Sequence, residues 1–301
     1  MPYAAHSADQ DVTRVNAVLT WYDAHARDLP WRRPDCSAWG VLVSEVMLQQ
    51  TPVARVLPAW ERWMARWPTP ADLAAATQAD AVRAWERLGY PRRAKRLWEC
   101  ALVLVHEHGG DVPRDVDALV TLPGVGDYTA AAVASFAFGR RTVVLDTNVR
   151  RVIGRAWNGV PLPGPSITRA EREFAAGIVP AQASDAARWA VASMELGSLV
   201  CTARAPQCEA CPLEGSCEWV AAGRSGLAEA PRRTQAWHGT DRQVRGRILA
   251  LLREAADPLT LAGRAALEDI DPGQLDRCLD GLVSDGLISL VDAERGSFAL
   301  A

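Results

Sequence analysis

The sequence predicts an all-α protein of two domains followed by a small α+β module. Three observations lead there. Before residue 240 the apolar residues recur at helical spacing, and no stretch alternates as a half-buried strand does. With 301 residues, 49% of them hydrophobic, the chain can bury two cores. Past a polar stretch at 223–240, broken by Gly and Pro, three short helical patterns run into two strand-like segments.

From the N-terminus, Val12 to Ala26 carries Val15, Val18, Leu19 and Tyr22 close to helical spacing, and Leu29-Pro-Trp-Arg-Arg-Pro34 breaks the pattern. A second helix is expected over Ala38 to Leu48. Glu45 falls inside its apolar face, with apolar neighbours at 41, 42, 46 and 48, so burial is expected to raise its pKa. Further helices are expected over Val53 to Arg66, Ala71 to Ala76, Ala79 to Arg87 and Arg92 to His108. Trp60, Trp63, Trp67, Trp85 and Trp98 recur along them at spacings suited to packing between helices rather than to base stacking.

Leu122-Pro-Gly-Val-Gly-Asp-Tyr-Thr129 opens the next segment. Its glycines permit a tight turn and close approach by another molecule, and the apolar run from Ala130 to Phe138 reads as a helix whose first N–H groups suit a phosphate. Asp146 then stands alone in an apolar approach, followed by Asn148 and by Arg150, Arg151 and Arg155. Such an arrangement suggests a reaction centre beside a polyanion. A helical hairpin followed by an N-capping Asp is an equally good reading of the same residues.

Later helices are expected around Arg169 to Ile178 and from Ala183 to Leu199. After the linker, helices over Val244 to Ala255, Leu261 to Leu267 and Gly273 to Asp285 precede a hairpin of Leu287 to Val291 with Ser297 to Leu300, which together suggest a winged-helix-like module. A stabilising or dimerising appendage that touches no DNA fits the same pattern.

The formal charge of −3 announces no nucleic-acid binder, although residues 81–160 hold twelve Arg and Lys against eight Asp and Glu. Lys95 is the sole lysine, which bears on any Schiff-base chemistry, because that needs an amine. No run of about eighteen apolar residues occurs and the start lacks a basic and an apolar export region, so a cytoplasmic protein with no membrane partner is expected. Seven cysteines in such a chain argue against a disulfide framework. Four of them, Cys201-x6-Cys208-x2-Cys211-x5-Cys217, can converge on a soft-metal centre, and only the middle pair has the spacing zinc prefers. Cys36, Cys100 and Cys278 read as small buried apolar residues.

The cysteine spacing resembles the iron–sulfur loop of the endonuclease III and adenine glycosylase superfamily. From about Val12 to Cys217 the chain is similar to the helix-hairpin-helix DNA glycosylases with the Gly-Pro…Asp motif, and within them to the adenine glycosylases of the MutY type. The matching pieces are Leu29-Pro-Trp-Arg32, Ser44-Glu-Val-Met-Leu-Gln-Gln-Thr51, Leu88-Gly-Tyr90, Leu122 to Thr129, Leu145-Asp-Thr-Asn-Val149 and Met194-Glu-Leu-Gly197. The resemblance implies a six-helix barrel domain with the hairpin over 27–140 and an iron–sulfur domain over 1–26 and 141–222; the linker 223–240 and the winged-helix-like module 241–301 rest on the pattern alone. It implies a [4Fe–4S] cluster on Cys201, Cys208, Cys211 and Cys217, with Arg204 held near the nucleic-acid backbone.

The same resemblance implies a nucleoid-associated monomer that binds mismatched double-stranded DNA, flips an adenine paired with 8-oxoguanine or G, and cuts its N-glycosidic bond. Glu45 would protonate the departing base, and Asp146 would stay ionised beside the oxocarbenium sugar. Tyr128 would hydrogen-bond in the site and Asn148 would hold Asp146 and a water. Gln49 and Gln50 would wedge into the duplex, Trp31 and Arg32 would line the base pocket, Tyr90 would face DNA, and the amides of Gly124, Val125 and Gly126 would bind phosphate. Tyr128 stands where the endonuclease III branch carries its Schiff-base lysine, which implies a monofunctional glycosylase.

Three departures stand against the adenine assignment. Pro91 replaces a second tyrosine, Val191 replaces a glutamine or glutamate that faces adenine, and the short module stands where a Nudix-like domain is usual. A mismatch thymine glycosylase and a non-catalytic iron–sulfur DNA-binding protein are the alternatives; Glu45 argues against the first.

Overall fold

The computed structural model describes residues 7–227 and 238–301, so 228–237 of the expected linker lie outside the described residues. Its helices are α1 (Ala8–His25), α2 (Ala38–Leu48), α3 (Val53–Arg66), α4 (Pro70–Ala74), α5 (Gln78–Ala84), α6 (Arg92–His108), α7 (Val116–Val120) and α8 (Asp127–Phe138). They continue with α9 (Thr147–Asn158), α10 (Arg169–Ile178), α11 (Ala183–Leu199), α12 (Glu218–Ala221), α13 (Asp241–Glu254) and α14 (Pro272–Ser284). The strands β1 (Leu259–Thr260), β2 (Ile288–Asp292) and β3 (Ser297–Leu300) all follow residue 240, so the all-α character of the earlier chain is as expected. Among the described residues no helix is long and apolar enough to cross a membrane.

The chain divides into two units, one drawn from Met1–Glu45, Pro113–Thr121 and Val125–Pro231, the other from Val46–Val112, Leu122–Gly124 and Arg232–Ala301. The division expected from sequence set its boundaries elsewhere. Glu45 groups with α1 and α9 to α11, and the C-terminal module groups with residues 46–112.

In the first unit, α9 shows how the sequence makes an element. Val149, Val152, Ile153, Ala156 and Trp157 recur at i, i+3, i+4, i+7 and i+8 and are all buried. The Asp146 side chain caps the start by accepting from the Val149 N–H at 2.7 Å, and Gly159 ends the helix at φ 65°. This stripe packs with Val15, Val18 and Leu19 of α1 and Ala186, Trp189, Ala192 and Leu196 of α11, where Trp157 meets Trp189 edge-on at 6.0 Å. Each fully buried Leu, Ile or Val there contributes about 1.5–3 kcal/mol. α11 comes close to α9 at Gly197, where a Cβ would lie 2.7 Å from Asn148 Cβ.

The arginines of α9 correct one expectation. Arg150, Arg151 and Arg155 do not face a polyanion; they are only 8%, 4% and 1% exposed. Arg150 holds the Glu171 carboxylate and donates to the Ser166 carbonyl. Arg151 donates to the carbonyls of Cys201 and Gly197 and to Asn148 Oδ1, and Arg155 to the carbonyls of Pro161, Thr202 and Ala203. The irregular backbone after α11 leaves buried carbonyls without helical partners, and a guanidinium has donors for several at once.

In the second unit, α4 and α5 pack on α6 through Leu73, Val82, Leu97, Ala101 and Leu104. Trp63 meets Trp67 at 4.7 Å and Trp85 at 5.6 Å, both edge-on, while the indole N–H groups of Trp85 and Trp98 donate to the carbonyls of Gly89 and Ala76. Trp60, Trp63, Trp67 and Trp85 are core, as their spacing implied, while Trp98 is only half-buried. The C-terminal module sits on the same helices. Gln78 donates to the carbonyls of Gly286 and Ala301, Lys95 to that of Asp285 and Arg253 to that of Val82. Its sheet has the order β1-β3-β2, with an antiparallel partner at each side of β3. The helix expected over 261–267 is instead the 3-10 turn Ala265–Leu267, preceded by a third strand, because Gly263 at φ +71° stops a helix before it can form.

Candidate active site

Two carboxylates in the first unit, the buried Glu45 and the half-buried Asp146, lie near enough to influence each other's charge. Glu45 is 5% exposed and faces the first turn of α8, where the Tyr128 hydroxyl donates to Glu45 Oε2 at 3.0 Å. The Tyr128 ring is held by Ala131, Ala132, Val144 and Ala190. Asp146, at the N-cap of α9, accepts from the Val149 N–H through Oδ1 and from Asn148 Nδ2 through Oδ2, each at 2.7 Å. Arg151 donates to Asn148 Oδ1 at 2.8 Å and so fixes which way that amide points.

These surroundings treat the two acids differently. Burial pushes Glu45 up to about 7, with Asp146 raising it further and the Tyr128 hydrogen bond and Arg32 opposing. Burial raises Asp146 too, but the Val149 N–H, Asn148 and Arg151 all favour its ionised form. A proton on Glu45 beside an ionised Asp146 is the arrangement acid-assisted departure of a leaving group needs.

Glu195 supplies a third carboxylate that sequence reading left without a role. It is fully buried in α11 and binds Arg27 through both oxygens, at 2.7 and 2.6 Å, and Arg32 at 2.8 Å. The arginines hold its carboxyl down at about 2 against its burial. Arg32 and the buried Trp31 belong to the 3-10 turn Pro30–Arg32, so this bridge fixes the segment expected to line a base pocket. Val191, four residues before Glu195, is half-buried in α11.

In the hairpin between α7 and α8, Gly124 takes φ +80°, and a Cβ there would lie 2.8 Å from Arg96 Cβ, so both conformation and space require glycine. Val125 is buried and anchors the turn, and Gly126 is the extended N-cap of α8. Gln49, Gln50 and Tyr90, also expected to face DNA, lie in the second unit. Gln50 holds a left-handed φ of 55°, and Tyr90, 42% exposed, one of 49°; such strain in non-glycine residues persists only where neighbours impose it. Arg93, which the sequence did not single out, is that neighbour. Its Nη1 donates to the carbonyls of Val46, Met47 and Gln49, and its Nη2 to Thr51 Oγ1 and the Gly89 carbonyl. Burial lowers its pKa to about 10. Gln49, Arg92, Arg96 and Gly124 border one cavity with it.

Cys201, Cys208, Cys211 and Cys217 line a single cavity that Arg155 and Trp219 complete. Arg155 lies 4.5 Å over the Trp219 ring and donates to Cys201 Sγ at 3.3 Å, and Cys217 Sγ approaches the Arg155 carbonyl at 3.5 Å. Four sulfur donors with a guanidinium beside them suit an anionic thiolate-bound cluster. Among the described residues no three His, Cys, Asp or Glu side chains close on a position for one metal ion; the four thiols surround a space instead. Arg204 is exposed on this loop.

Residues 43–176 match the family model described as HhH-GPD superfamily base excision DNA repair protein, and 201–217 that of the iron–sulfur binding domain of endonuclease III. The chain is 52% identical over 284 residues to an adenine DNA glycosylase of Mycolicibacterium smegmatis, covering 94% of each. It is 45% identical to the adenine DNA glycosylase of Homo sapiens over 69% of this chain and 40% of that one. Among solved structures, a thermostable thymine-DNA glycosylase matches with TM-score 0.64 and 27% identity over 71% of this chain and 98% of its own. An endonuclease III trapped as a covalent intermediate with DNA matches with TM-score 0.62 and 25% identity over 73% and 100%.

Proposed function

Since the chain belongs to the adenine DNA glycosylase family of the helix-hairpin-helix superfamily, we propose that it removes adenine from pairs with 8-oxoguanine or G in duplex DNA, as a monofunctional N-glycosylase. It is a base excision repair enzyme of the adenine-specific DNA glycosylase type and carries a [4Fe–4S] cluster. The observation that carries the finer reading is the pair of carboxylates, the buried Glu45 lifted to about 7 and the half-buried Asp146 held by donors that favour its charge.

A base inside the stack cannot reach a buried acid, so the target nucleotide turns out of the duplex. Gln49 and Gln50 fill the gap, the hairpin amides of 124–126 hold a phosphate, and Trp31 and Arg32 border the extruded purine. Glu45 gives its proton to a ring nitrogen of adenine. The glycosidic bond then breaks, with its electron pair leaving on the base, and the Asp146 carboxylate stabilises the cationic sugar until water adds. Asn148 orients Asp146, and Tyr128 fixes the Glu45 carboxyl without supplying an amine. The sole lysine, Lys95, is engaged with the Asp285 carbonyl. Cys201, Cys208, Cys211 and Cys217 would hold the cluster, which would cross-link the loop bearing Arg204.

The test is a single-turnover assay on duplexes carrying A or T opposite 8-oxoguanine or G, with alkali cleavage of abasic sites. Adenine loss is the expected result. Release of thymine alone, or of no base, overturns the reading, and efficient borohydride trapping of a protein–DNA adduct overturns its monofunctional part.

A further inference from the structure

Arg155 is a buried cation whose hydrogen bonds reach no carboxylate. It is 1% exposed in the last turn of α9, and three of its donors go to the carbonyls of Pro161 at 2.8 Å, Thr202 at 2.7 Å and Ala203 at 3.0 Å. A further donor goes to Cys201 Sγ at 3.3 Å. The acids around the cysteine loop are engaged with other arginines: Glu214, which borders the same cavity, pairs with Arg224, and Glu218, next to Cys217, pairs with Arg14. Arg151, one turn back, donates to the Cys201 carbonyl instead of its sulfur.

A guanidinium cannot shed its proton to escape burial, and a buried charge without a countercharge is costly. Carbonyl dipoles and the end of a helix offer it partial charge, and the Trp219 ring, 4.5 Å away, attracts a cation without carrying net charge. The full countercharge has to come from the cavity that Arg155 borders with Cys201, Cys208, Cys211 and Cys217.

We propose that Arg155 is the countercharge of the [4Fe–4S] cluster and that its charge at the Cys201 sulfur raises the cluster's reduction potential. Four thiolates make the loaded centre an anion, and one added electron makes it more so. A positive N–H donor at a ligand sulfur favours the more negative state. The proposal rests on the cluster and its four cysteines and does not depend on which base the protein removes.

The experiment compares wild type, R155Q and R155K as full chains purified with their clusters. Iron content, visible absorption and thermal unfolding are recorded, and the midpoint potential is read by film voltammetry on graphite in the absence of DNA. In that measurement one electron passes between electrode and cluster, and no covalent bond is made or broken. R155Q, which keeps donors but not the charge, is expected to have a potential lower by about 59 mV, a tenfold shift toward the oxidised form at fixed potential. R155K keeps the charge and loses the planar fork to the three carbonyls, and its potential is expected to stay near wild type. An R155Q potential at or above that of wild type, or no lower than that of R155K, overturns the proposal and leaves Arg155 a clasp for those carbonyls, whatever its melting temperature. If R155Q takes up no cluster, R155K decides alone. A loaded R155K at the wild-type potential supports the proposal, and an empty R155K, or one whose potential has fallen, overturns it.

Discussion

The Tyr128 hydroxyl donates to Glu45 Oε2 at 3.0 Å, joining the first turn after the hairpin to the acid in the apolar face of α2. This hydrogen bond favours the Glu45 carboxylate, against the burial that lifts the group to about 7. A proton donor of that pKa is lost as pH rises through 7, so the single-turnover rate should fall about tenfold per pH unit above it. Tyr128→Phe removes the opposing donor and should move this fall to higher pH. An unmoved pH profile in Tyr128→Phe is the result that contradicts the pairing.

Glu45→Gln should lower the excision rate by about 10²- to 10⁴-fold while leaving duplex affinity near wild type. It should also stabilise the fold at alkaline pH. Because the folded pKa is raised above the ordinary 4.5, the native state is favoured below that value and loses stability as pH climbs through 7. Replacing the acid by a neutral isostere removes the loss, by roughly 3 kcal/mol at most near pH 8. Chemical denaturation of both proteins at pH 5 and pH 8 checks the sign.

Asp146→Asn separates capping from chemistry. Asparagine caps a helix about as well as aspartate, so α9 should stay within about 1 kcal/mol of its wild-type stability. The charge facing the sugar cation is gone, and the rate should drop by at least about 10²-fold. Full activity in this variant would end the proposed mechanism.

Gly197→Ala places a methyl 2.7 Å from Asn148 Cβ and 2.8 Å from its carbonyl oxygen. The backbone of α9 must move, at a cost of about 1–3 kcal/mol. The Asn148 amide moves with it, so the excision rate should fall while cluster content, read from visible absorption, is kept.

Arg93→Ala deprives the carbonyls of Val46, Met47 and Gln49 of a charged donor and frees Gln50 from its imposed backbone angle. Stability should fall by roughly 3 kcal/mol. Mismatch affinity should fall further than affinity for undamaged duplex, which paired titrations would show, because the Gln49–Gln50 segment, the wedge in the proposed function, is no longer held in shape.

Much of this was legible in one dimension. Helical periodicity located α1 to α6, α10 and α11, an apolar run located α8, the C-x6-C-x2-C-x5-C spacing located the cluster loop, and the apolar neighbours of Glu45 announced a raised pKa, since burial of a helix face follows from local pattern; the short α7 went unread. The arginines of α9 were misjudged for a related reason: sequence shows a charge but not the buried carbonyls that consume its donors. Arg150, Arg151 and Arg155 look solvent-facing in a string and are sunk in the fold.

The chain by itself therefore determined most of its helices and the spacing of its four clustered thiols, both set within a few turns. Only the tertiary structure decided that Arg27 and Arg32 close on Glu195, that Arg93 bends the Gln49–Gln50 segment, and that Arg242 lies over Tyr90. Those partners stand 168, 163, 44 and 152 positions apart. Residues so distant along the chain meet only when the packing of whole helices brings them together, and no local periodicity encodes that.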